Sequence, residues 1–313
     1  MTSAPTGGPI AIVADAEPRF AAAVRSAGGE VAPVSEATRG LVWTHPAGEA
    51  ELEQLLQRHP AISWVQLPWA GVDAFAGLLR RHSGDGRTWT SAKGSYAQPV
   101  AEHALMLALA VLRELPRRIR AGEWAHDELG RTLHGARVVI VGGGGITAEL
   151  LRLLEPFGVH ATVVRRTDAA VPGAARTVTT ARLLDALAEA DVVVVTAALT
   201  EETRGLLGRE AFAAMPRGAV LVNVARGAIV DTGELVAALG SGRLGGAGLD
   251  VTDPEPLPAG HALWTAPNCI VTPHVADTDD MTVPLFAERI AANTRAFLGD
   301  GAFVGVVDLE AGY

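Results

Sequence analysis

Three side chains far apart in the chain combine a proton donor, a carboxylate and a fixed cation. His274 follows the apolar run Cys269–Thr272, and an imidazole that titrates near neutrality can give or take a proton at working pH. Glu255 lies in the segment DPEPLP, a stiff proline-framed loop that can hold the imidazole in one orientation and balance its charge. Arg226 offers a guanidinium fork for a carboxylate and can polarise a neighbouring carbonyl. The set predicts protonation of a keto group beside a carboxylate while a bound nicotinamide supplies the hydride.

Each of the three side chains also has a purely structural explanation. His274 could be a structural histidine, Arg226 a surface residue and Glu255 a loop charge. What favours a site is the position of these and other residues at the ends of successive apolar strands. The residues at those ends are Gly142–Gly145, Arg165, Ala197–Ala198, Arg226, Asp250 and His274.

The chain is organised around the stretch Val138–Arg166, which is typical of a strand, a glycine turn, a helix and a second strand. Val138–Val141 is an unbroken run of β-branched residues, which indicates a strand covered on both faces. Four glycines follow, then a helical pattern over Ile146–Glu155 and the apolar strand Ala161–Val164. In a parallel βαβ unit such a turn presents unpaired N–H groups and a positive helix end to a pyrophosphate.

The glycine turn departs from the usual dinucleotide fingerprint at one position. Gly142 and Gly144 fill the first two glycine positions, whereas Thr147 stands at the third, which leaves the phosphate turn intact. Arg165 and Arg166 lie where a carboxylate would bind the ribose of NAD, about 20 residues past the turn. Because guanidinium groups pair with a 2′-phosphate, we expect NADP to be preferred over NAD. The alternative is that both arginines are solvated loop residues.

Strands alternate with helices in both halves of the chain, so we expect an α/β protein with parallel sheets. Residues 99–279 are predicted to form a doubly wound dinucleotide-binding (Rossmann) domain, with a linker and dimerisation helix at residues 99–120. Residues 1–98 and 280–313 are predicted to form a second, smaller, flavodoxin-like α/β substrate domain. In that domain Gln66–Asp73 leaves a strand, and the amides of Ala70–Val72 could bind a small anion or form a structural turn.

Composition excludes several classes of protein. The chain of 313 residues has a net charge of −9 and no basic block, so nucleic acid and an anionic membrane surface are not expected partners. A single cysteine, Cys269, excludes an internal disulfide, and with no signal peptide evident we expect a cytoplasmic protein. The most apolar helix, Ala104–Leu112, is too short to span a membrane. We find no metal-ligand spacing, and we expect His103 and His261 to be structural.

The chain resembles the D-isomer-specific 2-hydroxyacid dehydrogenases, from about residue 64 to residue 276. The segments that carry the resemblance are WVQLPWAGVD, YAQPVAEHAL, LHGARVVIVGGGGI, LTEETRGLL, MPRGAVLVNVARGAIVD, GLDVTDPEPLPAGHALW and PNCIVTPHVA. The resemblance implies a two-domain homodimer with its active site in the cleft. It assigns substrate orientation to Arg226, the supporting carboxylate to Glu255 and acid–base duty to His274. Ala197-Ala198 departs from the proline that the family often has before Leu-Thr.

The resemblance also implies the binding residues. Cofactor contacts are implied at Gly145, Ile146, Arg165, Ala198, Thr203, Val224 and Asp250. With Gly142, Gly144, Thr147, Arg166 and Ala225 they complete the predicted cofactor set. Asp250 would face the nicotinamide carboxamide, or else cap a turn. The predicted substrate set is Trp69, Ala70, Gly71, Val72, Tyr96, Arg226 and His274.

We therefore expect an NAD(P)-dependent oxidoreductase that interconverts a small 2-oxoacid and a D-2-hydroxyacid, with NADPH preferred. Glyoxylate, hydroxypyruvate and pyruvate are the substrates considered. Two alternatives stay open from the sequence. One is a non-catalytic, corepressor-like protein that senses the dinucleotide, and the other is a formate-type dehydrogenase on the same scaffold.

Overall fold

A computed structural model describes residues 7–14, 17–45, 48–124 and 126–309. The chain divides into two compact units, Met1–Tyr96 with Thr278–Tyr313, and Ala97–Asp277. Residues 1–6 and 310–313, which belong to the predicted substrate domain, lie outside the described residues. Each unit is built on a parallel sheet, so the predicted α/β class is confirmed.

Within the described residues, the first unit has a four-stranded sheet in the order β1-β2-β3-β4. Its strands are β1 Ile10–Val13, β2 Gly40–Trp43, β3 Trp64–Gln66 and β4 Thr88–Thr90. Its helices are α1 Pro18–Ser26, α2 Glu49–Arg58, α3 Ala76–Arg81 and the C-terminal helix Asp279–Phe297, which packs on α1. Val31 adds a parallel bridge to Ile10 on the side away from β2, which completes the strand order of a flavodoxin-like sheet.

The second unit has, within the described residues, a seven-stranded parallel sheet. Its strands are β5 Arg137–Val141, β6 His160–Arg165, β7 Arg176–Thr179, β8 Val192–Val195, β9 Ala219–Asn223, β10 Leu244–Leu249 and β11 Cys269–Val271. Its helices are α4 Ala97–Leu112, α5 Leu115–Ile119, α6 Gly145–Leu154, α7 Leu183–Leu187, α8 Arg209–Ala214 and α9 Thr232–Gly240. β8 consists of four valines and is buried along its whole length. Such strands are typical of a parallel sheet with helices on both faces.

The strand order of this sheet, β11-β10-β9-β8-β5-β6-β7, reverses between β5 and β8. The chain runs outward from β5 through β6 to β7, and then returns to build β8 to β11 on the other side. Ligands of open parallel sheets bind outside the carboxyl ends of the strands at such a reversal. The predicted doubly wound order is thereby confirmed, and it makes the ends of β5 and β8 the expected ligand site.

The predicted single helix over residues 99–120 is wrong, because two helices, α4 and α5, occupy this region. Glu114 between them has a left-handed backbone, with φ of 55°. Pro116 explains the break: in a continuous helix its ring would clash with the carbonyl of Leu112, and it has no N–H to donate. The predicted start at Pro99 is also wrong by two residues. A proline is tolerated there because N–H groups in the first turn have no intrahelical acceptor.

Candidate active site

The glycine turn joins β5 to α6 at the point where the strand order reverses. Gly142 has φ of 126°, and a Cβ there would lie 2.5 Å from Thr196 Oγ1, so only glycine allows the ends of β5 and β8 this close. A Cβ at Gly144 would meet no atom within 4 Å, which shows that the space before the helix is open. The first N–H groups of α6, from Gly145 and Ile146 onward, have no intrahelical acceptor. The turn therefore fits a dinucleotide pyrophosphate.

Thr147, at the third position of the fingerprint, is fully buried. Its hydroxyl donates to the carbonyl oxygen of Gly142 at 3.0 Å and lies 2.8 Å from the hydroxyl of Thr196. These bonds tie the start of α6 to the ends of β5 and β8. Because the hydroxyl is used within the protein, a cofactor contact at Thr147 would have to come from its backbone N–H.

The Arg165 side chain lies along the glycine turn. A Cβ at Gly143 would be 2.9 Å from Arg165 Cδ and 3.1 Å from its Nε, so the arginine carries its charge beside the glycine turn. The positive charge of Arg166 influences a carboxyl group in the loop after β8, that of Glu202. There the Thr200 hydroxyl holds the pKa of the Glu202 carboxyl below its usual value, and the positive charge of Arg166 adds to this effect.

The loop after β8 is held together by Thr203. Its hydroxyl donates to the carbonyl oxygen of Ala198 at 2.8 Å and accepts from the N–H of Thr200 at 2.8 Å. Two residues of the predicted cofactor set are therefore in direct contact. The side chains of Val224 and Ala225, which follow β9, are buried, so their backbone is the part available to a ligand.

His274 and Glu255 lie against each other through Nδ1 and Oε1, 2.6 Å apart. The second carboxylate oxygen of Glu255 accepts from the N–H of Thr252 at 3.4 Å. A carboxylate beside Nδ1 keeps a proton on that nitrogen, which leaves Nε2 as the atom that exchanges a proton with a ligand. The two side chains are 44% and 42% exposed, so a small molecule can reach them.

The loop that carries Arg226 lies at the same edge of the sheet, because its backbone at Gly227 packs directly against the backbone of Thr252. A Cβ at Gly227 would lie 2.0 Å from the carbonyl carbon of Thr252, so the Arg226 loop rests directly on the segment that leads to Glu255. Asn223, fully buried at the end of β9, donates from Nδ2 to the carbonyl oxygen of Arg226 at 3.0 Å. The guanidinium, the carboxylate and the imidazole are thus carried by adjoining loops.

Asp250 anchors the backbone of the turn that carries His274. Its carbonyl oxygen accepts from the N–H of His274 at 2.8 Å. Its carboxylate accepts from the N–H of Val275 and of Ala276, both at 3.0 Å, and from the Thr272 hydroxyl at 2.6 Å. His274 has φ of 54°, a left-handed conformation that is uncommon for a residue with a side chain. These four bonds hold the histidine in that conformation.

His103 on α4 joins this network, with Nε2 at 3.0 Å from the Thr272 hydroxyl and 3.4 Å from Asp250 Oδ1. Burial by itself would raise the pKa of Asp250, but the bonds from His103, Thr272 and two backbone N–H groups outweigh it and lower that pKa. These contacts fit the alternative in which Asp250 caps a turn. Its predicted contact with the nicotinamide stays a prediction.

Asp277 is a further carboxylate at this edge that the sequence analysis did not single out. Burial raises its pKa, while the charge of His274 and, more weakly, that of Arg226 oppose the rise and the charge of Asp250 adds to it. His274 and Arg226 of the predicted catalytic set therefore both act electrostatically on this one carboxyl group. Its position three residues after His274 was the available signal.

The predicted anion-binding loop belongs to the first unit and leaves the carboxyl end of β3. The Tyr96 hydroxyl donates to the carbonyl oxygen of Pro68 at 2.8 Å, and the N–H of Ala92 donates to that of Trp69 at 3.0 Å. In the part of the chain that the structure describes, the N–H groups of Ala70–Val72 have no hydrogen-bond acceptor. The rings of Trp69 and Tyr96 meet edge to face with centroids 6.5 Å apart.

Over residues 7–14, 17–45, 48–124 and 126–309, no group of three or more His, Cys, Asp or Glu side chains is arranged to hold a metal ion. Over the same residues, no helix has both the length and the apolar character needed to cross a bilayer.

A model of the family described as "D-isomer specific 2-hydroxyacid dehydrogenase, NAD binding domain" matches residues 103–276, more than half of the chain. The chain belongs to the D-isomer specific 2-hydroxyacid dehydrogenases. Membership in this dehydrogenase family confirms the predicted NAD(P)-dependent oxidoreductase. The glycine turn, with its open front and unpaired N–H groups, fits the dinucleotide that this chemistry requires.

Three similar proteins extend the comparison. The human glyoxylate reductase/hydroxypyruvate reductase is 37% identical over 209 residues, which are 63% of each chain, so less than two thirds of that relative is spanned. Glyoxylate/hydroxypyruvate reductase HPR3 of Arabidopsis thaliana is 30% identical over 266 residues, 82% of this chain and 80% of that one. A D-isomer specific 2-hydroxyacid dehydrogenase of Xanthobacter autotrophicus Py2, solved with NADPH and MES, has a TM-score of 0.82 at 30% identity over 98% of this chain and 100% of that one.

Proposed function

We propose that this 2-hydroxyacid dehydrogenase reduces small 2-oxoacids, such as glyoxylate, hydroxypyruvate or pyruvate, to D-2-hydroxyacids with NADPH. The observation that carries the proposal is the contact of 2.6 Å between His274 Nδ1 and Glu255 Oε1. It orients an imidazole whose Nε2 can protonate a carbonyl oxygen. The human and plant relatives named as glyoxylate and hydroxypyruvate reductases support this substrate class.

Each residue of the site has a defined role in the proposed reaction. NAD(P)H, when bound, supplies the hydride to the carbonyl carbon. His274 donates the proton from Nε2 to the carbonyl oxygen, and Glu255 stabilises the imidazolium before transfer. Arg226 pairs with the substrate carboxylate and polarises the carbonyl. The amides of Ala70–Val72 bind the carboxylate, since they are N–H donors with no acceptor in the described part of the chain.

The preference for NADPH rests on Arg165. Its side chain lies against the glycine turn, and a guanidinium there can pair with the 2′-phosphate while Arg166 adds a second positive charge. The X. autotrophicus relative was solved with NADPH, which supports the same choice. We propose the predicted division of tasks, in which residues 99–279 hold the dinucleotide and residues 1–98 with 280–313 bind the substrate.

The test is oxidation of NADPH and of NADH with a panel of 2-oxoacids, with His274→Asn as the inactive control. We expect the wild type to reduce at least one 2-oxoacid, and we expect the turnover rate of the control to be lower by about 10² or more. No turnover with any member would refute the proposal. Dinucleotide binding without turnover would instead favour a sensing protein, and reduction of NAD(P)⁺ by formate would favour a formate-type dehydrogenase.

We also propose a homodimer, formed through α5 and the segment after it. Ile119 is 73% exposed and Trp124 is 98% exposed. Near these two side chains, Arg118 donates to the Asp127 carboxylate at 2.7 Å and to the carbonyl oxygen of Leu129 at 2.9 Å. The double variant Ile119→Glu with Trp124→Glu should sediment as a monomer in analytical ultracentrifugation, whereas the wild type should sediment as a dimer. We propose a cytoplasmic location as well, since the single cysteine, Cys269, is a free thiol and can form no internal disulfide.

A further inference from the structure

Arg289, on the C-terminal helix, is a buried cation that the proposed reaction does not use. It is 9% exposed. Its guanidinium donates to the carbonyl oxygens of Ser91 at 2.7 Å, Lys93 at 2.9 Å and Val304 at 3.4 Å. Burial lowers the pKa of Arg289, and the nearby Tyr96 opposes this shift. Among the described residues, no carboxylate lies within ion-pairing distance of this guanidinium.

A buried guanidinium without a carboxylate is costly, because carbonyl dipoles replace only part of its hydration. Its net positive charge remains available to an anion that binds nearby. All its hydrogen-bond partners are backbone carbonyls, and two of them belong to the segment that follows β4. This segment is the one that supports the loop from Leu67 to Val72.

The segment after β4 holds this loop through one peptide group, the one between Ser91 and Ala92. Arg289 holds the carbonyls of Ser91 and Lys93, and the N–H of Ala92 between them donates to the carbonyl oxygen of Trp69 at 3.0 Å. In a trans peptide the C=O and the N–H point in opposite directions. The Trp69 carbonyl oxygen points toward Ala92, so the N–H of Ala70 in the same peptide group points away from the segment that follows β4.

Two other buried residues, one on the same helix and one before α4, reinforce this arrangement. Asn293 lies one helical turn after Arg289 and donates to Gln66 Oε1 at 2.7 Å, at the end of β3. The Tyr96 hydroxyl fixes the preceding carbonyl, that of Pro68. The loop is thus held from its carbonyl side, and the N–H groups of Ala70–Val72 are left without acceptors in the described part of the chain.

We propose that Arg289 is a positioning residue for the carboxylate of the 2-oxoacid. It clamps the segment that orients the loop amides, and it supplies an uncompensated positive charge to the site where the carboxylate binds. The inference rests on the proposed function, because it takes Ala70–Val72 as the carboxylate seat.

The experiment compares Arg289→Gln, Arg289→Met and Arg289→Lys with the wild type and with Arg295→Gln. Arg295 is an exposed arginine on the same helix and serves as the matched control. Pyruvate and its uncharged methyl ester are the paired substrates, and KM for NADPH is measured in parallel. The discrimination ratio is kcat/KM for pyruvate divided by kcat/KM for the ester.

The Gln and Met variants should raise KM for pyruvate by about tenfold and lower the discrimination ratio by a similar factor, with KM for NADPH unchanged. The Lys variant keeps the charge but cannot bridge both carbonyls, so it should raise KM by about threefold and retain the ratio. An unchanged ratio in the Gln and Met variants would overturn the proposal, whatever their thermal stability. If neither folds, the Lys variant decides, and an unchanged KM for pyruvate would overturn the clamp.

Calorimetric binding of oxamate, a charged isostere of a 2-oxoacid, separates this inference from the proposed function. If the wild type binds oxamate but reduces no 2-oxoacid, the proposed function fails. The inference then stands only if Arg289→Gln weakens oxamate binding by about tenfold. A wild type that neither binds oxamate nor reduces any 2-oxoacid would refute both.

Discussion

Replacing Asp250 by asparagine tests whether this carboxylate serves the turn of His274 or the cofactor. The substitution keeps the shape of the side chain but leaves one acceptor oxygen where there were two. The present carboxylate accepts from the Thr272 hydroxyl and the N–H of Val275 through Oδ1, and from the N–H of Ala276 through Oδ2. An amide NH₂ must then face at least one backbone N–H.

The magnitude follows from that mismatch. Asp250 is only 2% exposed, so an N–H left without its acceptor is not solvated and costs about 1–3 kcal/mol. The remaining bonds lose the assistance of the charge, which adds about 1 kcal/mol. We therefore expect Asp250→Asn to lower the free energy of unfolding by about 2–4 kcal/mol, which corresponds to a melting temperature about 5–15 °C lower. The left-handed conformation of His274 should relax, and kcat should fall by about 10².

Thermal melts and steady-state kinetics with varied NADPH would measure stability, kcat and KM for NADPH, with Asp300→Asn as the control at an exposed aspartate. The control should change none of these quantities. If Asp250→Asn melts with the wild type and raises only KM for NADPH, then the carboxylate contacts the nicotinamide and the structural reasoning is refuted. A loss of stability together with a loss of kcat, at unchanged KM for NADPH, is the result expected from the turn.

Three other substitutions test separate parts of the site. Glu255→Gln removes the charge beside His274 Nδ1 and can present an NH₂ there, so kcat should fall by about 10² in the 2-oxoacid assay; unchanged turnover would contradict the proposed role. Arg165→Gln should lower the ratio of kcat/KM for NADPH to kcat/KM for NADH by about tenfold. An equal loss of kcat/KM with both cofactors would show instead that the arginine acts on the pyrophosphate. Asp277 has a pKa raised by burial, so its ionised form destabilises the folded protein once the pH exceeds the unfolded value of about 4. Asp277→Asn should therefore raise the melting temperature at pH 7 by an amount that shrinks as the pH falls toward 4, and a gain that is independent of pH would contradict this explanation.

The doubly wound sheet could be predicted because its signals are local. Val138–Val141 is apolar and β-branched without interruption, and a glycine turn and an amphipathic helix follow it directly. Elements with weaker local signals were missed. β7 has the sequence RTVT, partly polar and partly exposed at the sheet edge, and α3 is a helix of six residues. Neither shows enough periodicity to be distinguished from a loop.

The supports of the site could not be predicted, because they depend on contacts between distant residues. His103 lies 169 residues before Thr272 in the chain, and Arg289 lies 198 residues after Ser91. No spacing rule relates such pairs, and both His103 and Arg289 read in the sequence as ordinary residues of a helix. The break between α4 and α5, by contrast, has a local signal in the sequence, because Pro116 cannot continue a helix.

The segment from Asp250 to Glu255, just after β10, contacts both the loop of Arg226 and the turn that carries His274. At its start Asp250 holds the backbone of His274, and at its end Glu255 holds the imidazole ring. Between them, Thr252 lies against Gly227, next to Arg226, so closely that no side chain fits at Gly227. Because one short segment contacts both loops, a displacement of this segment would carry the imidazole, the carboxylate and the guanidinium with it. Their mutual geometry therefore depends on the end of β10 more than on the strands that carry Arg226 and His274.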